Sequence, residues 1–401
     1  MLRRSLALRL FDAFTIQRWN DKIRPVELTE MDKHAHKIII SYCLGRYEEQ
    51  KGKTVNWGDV IKGSFYEFLR RIVISDIKSP IYRKIRLNHP EIFSELNIWI
   101  YNELESYLSD LSNDIHKEFK EYLENPDYLD PLTKNILGAA HIYASYWEFQ
   151  IIKQADPHGY QINDIERQIK NDLESYLDLD GMRKIITKHK ISNFIDLCGR
   201  MRFQIRWGQA PRIPKTSVLG HMFLVACFTY LFSRELNSCS KRLYNNFFSG
   251  LFHDLPEAVT VDIISPVKQS VEGMPSVITR IEDELASGEI YPLLEKSWIP
   301  EIEYFTKDEF LNKVIINNQI VHPSSDEINQ KYNNNEYNPL DGELIKVSDD
   351  FAAFLEAYVT KGLGINSKHL QDGLQEIAVR NEGKDIAGLQ IGTLYADFKE
   401  V

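Results

Sequence analysis

The sequence predicts an all-α protein built from two tandem helical domains. Apolar residues recur at three- and four-residue intervals along most of the chain, and the strict alternation typical of β-strands is scarce. Two separate stretches also resemble each other in residue order. With 401 residues, 43% of them hydrophobic, the chain can form two ordinary domains with separate cores. We place the first domain at residues 1–175 and the second at residues 176–401.

The helical spacing is clearest in four segments, SFYEFLRRIVISDI, NILGAAHIYASYWEFQIIKQ, HMFLVACFTYLFSREL and ELIKVSDDFAAFLEAYV. The N-terminal MLRRSLALRLFDAFTI is predicted to be an amphipathic helix instead of a signal peptide, because Arg9 and Asp12 interrupt its apolar run. The polar stretch 156–190 is a candidate domain junction that contains a connecting helix, INDIERQIKNDLESYLDL. Prolines and asparagines in residues 287–342 predict a loop or a surface insertion.

Composition limits the kinds of partner. The formal net charge of −10 and the charged fraction of 26% argue against a broadly basic surface for a polynucleotide and favour a small ligand. No uncharged run approaches the roughly 18 residues that span a bilayer, so we expect no membrane segment. Four cysteines without C-x-x-C spacing predict reduced thiols and a cytoplasmic protein; they are Cys43, Cys198, Cys227 and Cys239.

The two similar stretches lie in opposite halves of the chain. GSFYEFLRRIVISDIKSPI (63–81) aligns with GLFHDLPEAVTVDIISPV (250–267) when one residue is inserted. A weaker pairing lays HIYASYWEFQ (141–150) on KVSDDFAAFL (346–355). Further landmarks recur in the same order, namely Arg18-Trp19 with Arg206-Trp207, His34 with His221 and Tyr66 with His253. The sequence therefore predicts a duplicated helical domain.

The first copy lacks residues that the second copy offers to a metal. Tyr66-Glu67 stands opposite His253-Asp254, and Ala144 stands opposite Asp349. Several ligands must converge to bind a metal, so we predict that the first domain is degenerate, with no metal site and no catalysis. Two histidines of this copy are interpreted as relics or surface residues, namely His34 and His36.

The second copy concentrates acidic and imidazole groups in an apolar segment. If this segment is one helix, Glu257 lies three residues from Asp254 and four from His253, so it shares a face with both. Imidazole and carboxylate ligands suit divalent ions such as Mn²⁺, Fe²⁺, Co²⁺, Ni²⁺ or Zn²⁺, and a metal-bound water becomes a nucleophile near neutral pH. A β-branched run then weakens the helix, and Asp262 is predicted at a bend before the next helix.

These motifs resemble the HD superfamily of metal-dependent phosphohydrolases, which is named for an adjacent His-Asp pair. The likeness is greatest to its bacterial 5′-deoxynucleotidases, which remove phosphate from deoxyribonucleoside 5′-monophosphates. It covers about residues 200–360 and includes Arg206-Trp207, His221 in an apolar helix, HDLPEAVTVDIISPVK and KVSDDFAAFLEAY. The resemblance implies two tandem HD-type domains, of which the N-terminal one is degenerate.

The sequence departs from the nucleotidase pattern at two points. Gly220 precedes the first metal histidine, where the nucleotidases often have an acidic residue. Asp254 and Asp349 are also farther apart than in compact members of the superfamily, which an insertion at 287–342 can explain. Both departures concern the substrate more than the metal chemistry.

The resemblance assigns a role to each motif residue. It implies one divalent metal ion, which can be Mn, Co, Ni, Fe, Zn or Mg. Arg206 is expected to bind the phosphate, and Trp207 is expected to favour 2′-deoxyribose. Glu257 and Asp262 are expected to manage the attacking water and the phosphate, and Lys268 is expected to lie near the phosphate. The implied metal ligands are His221, His253, Asp254 and Asp349.

Two classes of function fit these residues. The first is hydrolysis of a (deoxy)nucleoside 5′-monophosphate or a related small phosphate ester, with nucleoside polyphosphates and cyclic nucleotides as alternative substrates. The second is a sensor or scaffold whose pocket binds a nucleotide. We expect a small-molecule partner, no polynucleotide and no membrane, with a homodimer possible. Taken singly, His221 could be a core histidine, and Arg206-Trp207 could be a surface cation–π pair.

Overall fold

Helices make up most of the fold, as the sequence predicts. The computed structural model describes residues 1–75, 77, 79–111, 114–261 and 271–398. Within these residues the α-helices, in chain order, are α1 (Arg4–Phe11), α2 (Glu30–Gln50), α3 (Trp57–Val73), α4 (Ser79–Asn88), α5 (Pro90–Leu108), α6 (Ile115–Glu124), α7 (Pro131–Ala155), α8 (Ile162–Glu174), α9 (Asp180–Ile186), α10 (Lys190–Arg200), α11 (Val218–Glu235), α12 (Ser240–Phe252), α13 (Glu257–Thr260), α14 (Met274–Leu285), α15 (Ile299–Thr306), α16 (Ser325–Glu327), α17 (Gly342–Gly362), α18 (Lys368–Asn381) and α19 (Gly392–Ala396). Shorter 3₁₀ and π turns lie at Asp12–Phe14, Met201–Phe203, Ala286–Ile290, Tyr291–Leu293, Ile328–Tyr332 and Asn335–Tyr337.

The strands of the described residues form two small antiparallel hairpins. In the first, β1 (Val314–Ile316) pairs with β2 (Gln319–Val321). In the second, β3 (Asp385–Ile386) pairs with β4 (Leu389–Gln390). The prediction of an all-α fold is therefore confirmed, because these hairpins are attached to a helical core.

Two long helices, α2 and α11, form the centre of the fold and pack against each other. Every residue of α11 from Val218 to Ser233 is buried, so this helix is surrounded by protein on all sides. α7 packs on α2, while α12 and α17 pack on α11. Side chains near the N-termini of the two central helices consequently lie inside the protein.

The two central helices begin in the same way. Thr29 caps α2 and Ser217 caps α11, and each side chain accepts a hydrogen bond from the backbone amide three residues later. Each cap residue also takes part in an isolated antiparallel bridge, Thr29 with Gln17 and Ser217 with Ile205. These shared caps give fixed points from which positions in the two halves can be compared.

The main hydrophobic core runs through both halves of the chain without a break. Gly220, in the first turn of α11, shows how closely the halves approach. A Cβ added there would lie 2.5 Å from the ring of Phe14 and 3.0 Å from Met31, both in the first half. A larger residue would push the halves apart, which explains why no acidic residue precedes His221. The halves share one core, in contrast to the separate cores that the sequence suggested.

Buried polar contacts also join the halves. Arg202 Nη1 donates to Glu148 Oε1 at 3.0 Å, and both side chains are fully buried. Arg202 also lies 3.3 Å from Nδ1 of His36. The hydroxyl of Ser217 donates to the carboxylate of Asp32. The first half therefore contacts the segment that leads from Arg202 into α11.

Residues 287–342 are packed more closely than the predicted loop or surface insertion. Trp298 is fully buried, and Asp341 accepts two hydrogen bonds from Arg242 of α12, at 2.7 and 3.0 Å. The side-chain oxygens of Asn333 and Asn335 accept hydrogen bonds from backbone amides at the start of α12. The asparagines thus cap a helix, which sequence composition alone could not reveal.

Several smaller predictions can be compared with the structure. The N-terminal amphipathic helix is confirmed as α1, and the connecting helix of the 156–190 stretch is confirmed as α8. All four cysteines are free thiols, and all except the half-buried Cys239 are buried. Among the described residues, no helix combines the length and the apolar character needed to cross a membrane.

Candidate metal centre

Three helices bring two histidines and an aspartate together in the second half. His221 lies in the first turn of α11, His253 directly follows α12, and Asp349 lies in α17. Each side chain offers one ligand atom, and these atoms lie within 4.8 Å of one another. His221 Nε2 is 3.0 Å from Asp349 Oδ1. Residues that are far apart in the sequence therefore converge at one point.

The His-Asp pair lies at a helix end instead of inside a helix. α12 ends one residue before His253, the next residues form a turn, and α13 begins at Glu257. The prediction that one helix carries His253, Asp254 and Glu257 is therefore wrong. Pro256 gives the physical reason, because it has no amide hydrogen to continue the helix and it disfavours helical backbone at the residue before it.

Asp254 lies at the edge of this cluster. Its Oδ2 is 3.2 Å from His253 Nε2, 4.0 Å from His221 Nε2 and 3.5 Å from Arg206 Nη1. Its side chain is 19% exposed, whereas the side chain of His221 is fully buried. The four residues predicted as ligands are thus close neighbours, and the two aspartates, at 19% and 17% exposure, lie on the more accessible side of the buried histidines.

The atoms that face the cluster suit a divalent cation. Nδ1 of His253 lies 2.9 Å from the carbonyl oxygen of Gly250, so Nδ1 carries the hydrogen when the ring is neutral. Nε2 of His253 is buried and faces Asp254 Oδ2 at 3.2 Å, inside the cluster. Two imidazole nitrogens beside carboxylate oxygens match the preferences of Mn²⁺, Fe²⁺, Co²⁺, Ni²⁺ and Zn²⁺.

The charges in the cluster attract a cation. Burial opposes ionisation of Asp254, but the charges of His253 and Arg206 outweigh it and hold the pKa of this carboxyl below its ordinary value. Burial opposes ionisation of Asp349 too, yet Lys346 helps to hold its pKa well below the ordinary value. Burial lowers the pKa of His253, whereas the two carboxylates raise it, to about 9. Both carboxylates are therefore ionised near neutral pH.

The same part of the chain matches a known family. Residues 198–378 match the family described as HD domain. HD domains point to the superfamily of metal-dependent phosphohydrolases, and all four residues of the cluster lie within the matched range. No curated protein and no solved structure matches the chain.

Within the matched residues, the buried carboxylate of Glu356 holds Arg206 and Trp207. Trp207 Nε1 donates to Glu356 Oε2 at 2.7 Å, and Arg206 Nε donates to the same oxygen at 3.3 Å. Trp207 has a φ of 59°, which is uncommon for a bulky residue. Its ring packs so closely on Gly373 that an added Cβ would lie 2.8 Å from it. The guanidinium of Arg206 lies between Glu356 and Asp254, next to the cluster.

Several residues that border the candidate metal centre were not predicted from the sequence. Lys346 Nζ lies 2.9 Å from Asp349 Oδ2, so it holds the oxygen that does not face His221. Phe310 has its ring centroid 6.3 Å from that of His253. Its neighbour Glu309 is half-buried, and burial raises the pKa of its carboxyl. The 287–342 segment therefore supplies part of the wall of the centre.

Helical spacing is a sequence signal that places Glu356 near Asp349. It lies seven residues after Asp349 in α17, which is about two helical turns, so both residues share one face. In α7 of the first half, Glu148 likewise lies seven residues after His141. No comparable signal marks Glu309, because a turn after α15 brings it to the centre.

The remaining predicted residues are described only in part. Glu257 is buried at the first position of α13, and its backbone amide donates to the carbonyl of Asp254 at 3.0 Å. Its predicted role in proton transfer stays a prediction. Asp262 and Lys268 lie outside the described residues.

The first half has a different group of buried polar residues at the comparable place. Lys33 of α2 is fully buried, and its Nζ lies 2.6 Å from Nδ1 of His141 in α7. Burial and the charge of Arg18 lower the pKa of Lys33 well below its ordinary value. Glu67 of α3 is ionised in spite of its burial, because Arg70 helps to hold its pKa well below the ordinary value.

The helix caps and the two glutamates revise the pairing of positions between the halves. Lys33 and His221 each lie four residues after a cap, so Lys33 takes the place assigned to His34. His141 takes the place assigned to Ala144, because it precedes Glu148 as Asp349 precedes Glu356. The interpretation of two histidines as surface residues is wrong, since both are fully buried, namely His34 and His36.

Proposed function

We propose that the HD domain hydrolyses a phosphate ester of a nucleotide, such as a (deoxy)nucleoside 5′-monophosphate, with one divalent cation. The observation that carries this proposal is the cluster of His221, His253 and Asp349, whose ligand atoms lie within 4.8 Å of one another inside an HD domain. Asp254 is the fourth proposed ligand, with its Oδ2 at 3.2 Å from His253 Nε2. The net charge of −10 supports a small substrate over a polynucleotide.

A bound divalent cation supplies Lewis acidity, which polarises a phosphoryl oxygen and makes a water molecule more acidic. The residues of the chain bind and orient the substrate. Arg206 presents a fixed positive charge 3.5 Å from Asp254, where it can offset charge that develops on phosphate oxygens in the transition state. In keeping with the motif, we assign the proton of the attacking water to Glu257 and Asp262, and a charge near the phosphate to Lys268.

Trp207 is the proposed determinant of the sugar. Its indole N–H is bound to Glu356 and its ring is packed on Gly373, so the side chain is held in one orientation beside Arg206. A rigid ring next to the phosphate-binding arginine can crowd a 2′-hydroxyl. This arrangement supports a preference for 2′-deoxyribose.

We also propose that residues 1–175 are a degenerate HD-like domain, related by duplication to residues 176–401. The matching helix caps, the matching β-bridges and the two buried glutamates support a common origin. Lys33 takes the place of a metal ligand there, and its amine fills space close to His141. A metal site needs several converging ligands, and the first half has Lys33 and His141 where the second half has His221 and Asp349, so this domain is proposed to bind no metal.

Phosphate release is the measurement that tests the function. The full chain, loaded with Mn²⁺, Co²⁺ or Ni²⁺, is incubated with a panel of deoxy- and ribonucleoside monophosphates, polyphosphates and cyclic nucleotides. We expect turnover that requires the metal and is highest with a 5′-monophosphate. Metal-loaded protein without turnover on any member of the panel would contradict the proposal.

A matched pair of variants controls for contamination and misfolding. Asp349→Asn removes a proposed ligand, whereas His141→Asn changes the comparable position of the first half. We expect the first variant to lose turnover and the second to keep it. Equal loss in both variants would show that the assay reports folding instead of metal chemistry.

One observation favours a second function, that of a nucleotide-binding sensor. The first half contacts the segment around Arg206 through two buried polar links, Arg202 with Glu148 and Ser217 with Asp32. A conformational change in one half can therefore be transmitted to the other half through these contacts. A sensor would bind nucleotide without hydrolysing it, so binding without phosphate release would support this alternative.

A further inference from the structure

We propose that Glu356 is a positioning residue for His221, a role that rests on the proposed metal site. Glu356 is fully buried on α17, and its Oε1 lies 3.5 Å from His221 Nδ1. The same oxygen accepts a hydrogen bond from the hydroxyl of Thr216 at 2.9 Å. Nδ1 of His221 is itself buried and has no closer hydrogen-bond partner among the described residues. One nitrogen of the ring therefore faces the ligand cluster, and the other faces a carboxylate.

The chemistry of imidazole explains why this placement matters. A histidine that binds a metal through Nε2 must be neutral and must carry its hydrogen on Nδ1. A carboxylate next to Nδ1 favours that tautomer, fixes the plane of the ring and makes Nε2 a stronger ligand. His253 meets the same need through the carbonyl oxygen of Gly250, 2.9 Å from its Nδ1. Glu356 would do for His221 what this carbonyl does for His253.

Comparison with Glu148 in the first half shows which contacts of Glu356 are shared scaffold contacts and which are particular to His221. Oε2 of Glu148 accepts hydrogen bonds from Arg18 Nε and Trp19 Nε1, both at 2.9 Å, as Oε2 of Glu356 does from Arg206 and Trp207. The other oxygen differs between the halves, because Oε1 of Glu148 binds Arg202.

Holding the arginine and the tryptophan therefore uses Oε2 and leaves Oε1 available. In the second half, the residue four positions after the helix cap is His221, and Oε1 of Glu356 approaches its ring nitrogen. In the other half, Lys33 occupies that place and directs its amine to His141. The contact between Oε1 and a ring nitrogen thus occurs only in the half that has the proposed metal ligand His221. The contacts of Oε2, which both halves share, do not explain it.

A nuclear magnetic resonance experiment on the full wild-type chain loaded with Zn²⁺ tests this role directly. Histidine rings are labelled with ¹⁵N, and the signals of His221 are assigned by their loss in His221→Gln. We expect its Nδ1–H proton to resonate far downfield and to exchange slowly with water. Absence of an Nδ1–H signal would overturn the inference without any need for a variant at Glu356.

Zinc affinity of Glu356→Gln, measured by competition with a chelator, is the second readout. We expect affinity to fall about 10- to 100-fold, the usual effect of losing a partner of a metal ligand, and the Nδ1–H signal to move upfield. Glu148→Gln is the matched control, because it removes the same kind of carboxylate from an arginine and a tryptophan. It should leave zinc affinity within about twofold of wild type. An equal loss in both variants, or an unchanged signal in Glu356→Gln, would overturn the inference.

The outcomes separate this inference from the proposed function. Wild-type protein that binds Zn²⁺ with the expected Nδ1–H signal, but releases phosphate from no substrate, leaves the role of Glu356 intact and refutes the hydrolase. Active protein whose zinc affinity is insensitive to Glu356→Gln supports the hydrolase and refutes the positioning role.

Discussion

The two halves share a scaffold around a buried glutamate and differ in what lies beside it. Glu148 and Glu356 each hold an arginine and the following tryptophan through one carboxylate oxygen. The second oxygen of Glu148 binds Arg202, whereas that of Glu356 approaches His221. The same arrangement therefore places the second oxygen either in an internal ion pair or beside a proposed metal ligand.

The charges of the two centres also differ. In the second half, Asp254 and Asp349 are ionised and draw positive charge onto His253. In the first half, the amine of Lys33 lies 2.6 Å from His141, and burial together with Lys33 lowers the pKa of that imidazole. The difference teaches that the second centre is anionic, whereas in the first half a lysine amine and an imidazole lie at the comparable place.

The largest expected effect comes from breaking the anionic centre. Asp254→Asn should abolish metal-dependent phosphate release, because it removes a charge that holds the cation. Glu67→Gln changes the comparable carboxylate of the first half and should leave turnover within about twofold of wild type. Metal content and turnover of the two proteins are the measurements. Wild-type metal content in Asp254→Asn would contradict the assignment of this ligand.

A second prediction breaks the link between the halves. Arg202→Leu leaves Glu148 with one fewer buried cation and should lower the free energy of unfolding by about 3–5 kcal/mol. The control is Arg200→Leu, since Arg200 pairs with Asp196 at the surface and its loss should cost less than about 1 kcal/mol. Urea unfolding measures both. Equal destabilisation by the two substitutions would show that the buried link is not important for stability.

A third prediction concerns the pH dependence of the same interface. Burial and the charge of Arg202 lower the pKa of His36 to about 3, against an ordinary value of 6.5. Below about pH 6.5, His36 is protonated in the unfolded chain, whereas in the folded chain it stays neutral down to about pH 3. The contribution of His36 to stability is therefore complete above pH 6.5 and falls by about 1.4 kcal/mol per pH unit as the pH drops.

Urea unfolding at pH 7, 6 and 5 checks this slope. His36→Gln should be less stable than wild type at pH 7, and the difference between the two proteins should shrink towards pH 5. His369→Gln, a substitution of an exposed histidine, controls for the general effect of the exchange. Parallel pH dependence of wild type and His36→Gln would refute the buried neutral state.

The smallest expected effect distinguishes the two tryptophans. Trp207→Ala should lower the ratio of deoxyribonucleotide to ribonucleotide turnover by about tenfold, because the crowding of a 2′-hydroxyl is lost. Trp19→Ala removes the tryptophan of the first half and should leave this ratio unchanged. An unaltered ratio in Trp207→Ala would show that sugar selection resides elsewhere.

The sequence predicted the ingredients of the centre better than its geometry. His253-Asp254 and Asp349 could be found because each belongs to a short motif that is continuous in the sequence. The helix break after α12 was not predicted, because the prediction followed the apolar spacing and did not consider Pro256. Glu356 was missed because its partners come from residues far away in the chain, and only the fold brings them together.

The comparison of the halves was also limited by what a sequence shows. His34 was paired with His221 because the residue types agree, whereas the helix caps place Lys33 there. The cap geometry depends on a hydrogen bond and not on residue identity alone. Gly220 looked like a departure from a family pattern, and close packing against Phe14 supplies its physical reason.

The central claim is that one half of the molecule binds a cation and the other half has replaced it with a lysine. Anomalous diffraction from crystals of the full chain grown with Mn²⁺ tests this most directly. We expect one peak per chain, bounded by His221, His253 and Asp349. A second peak beside Lys33 and His141, or no peak in the HD domain, would contradict the claim.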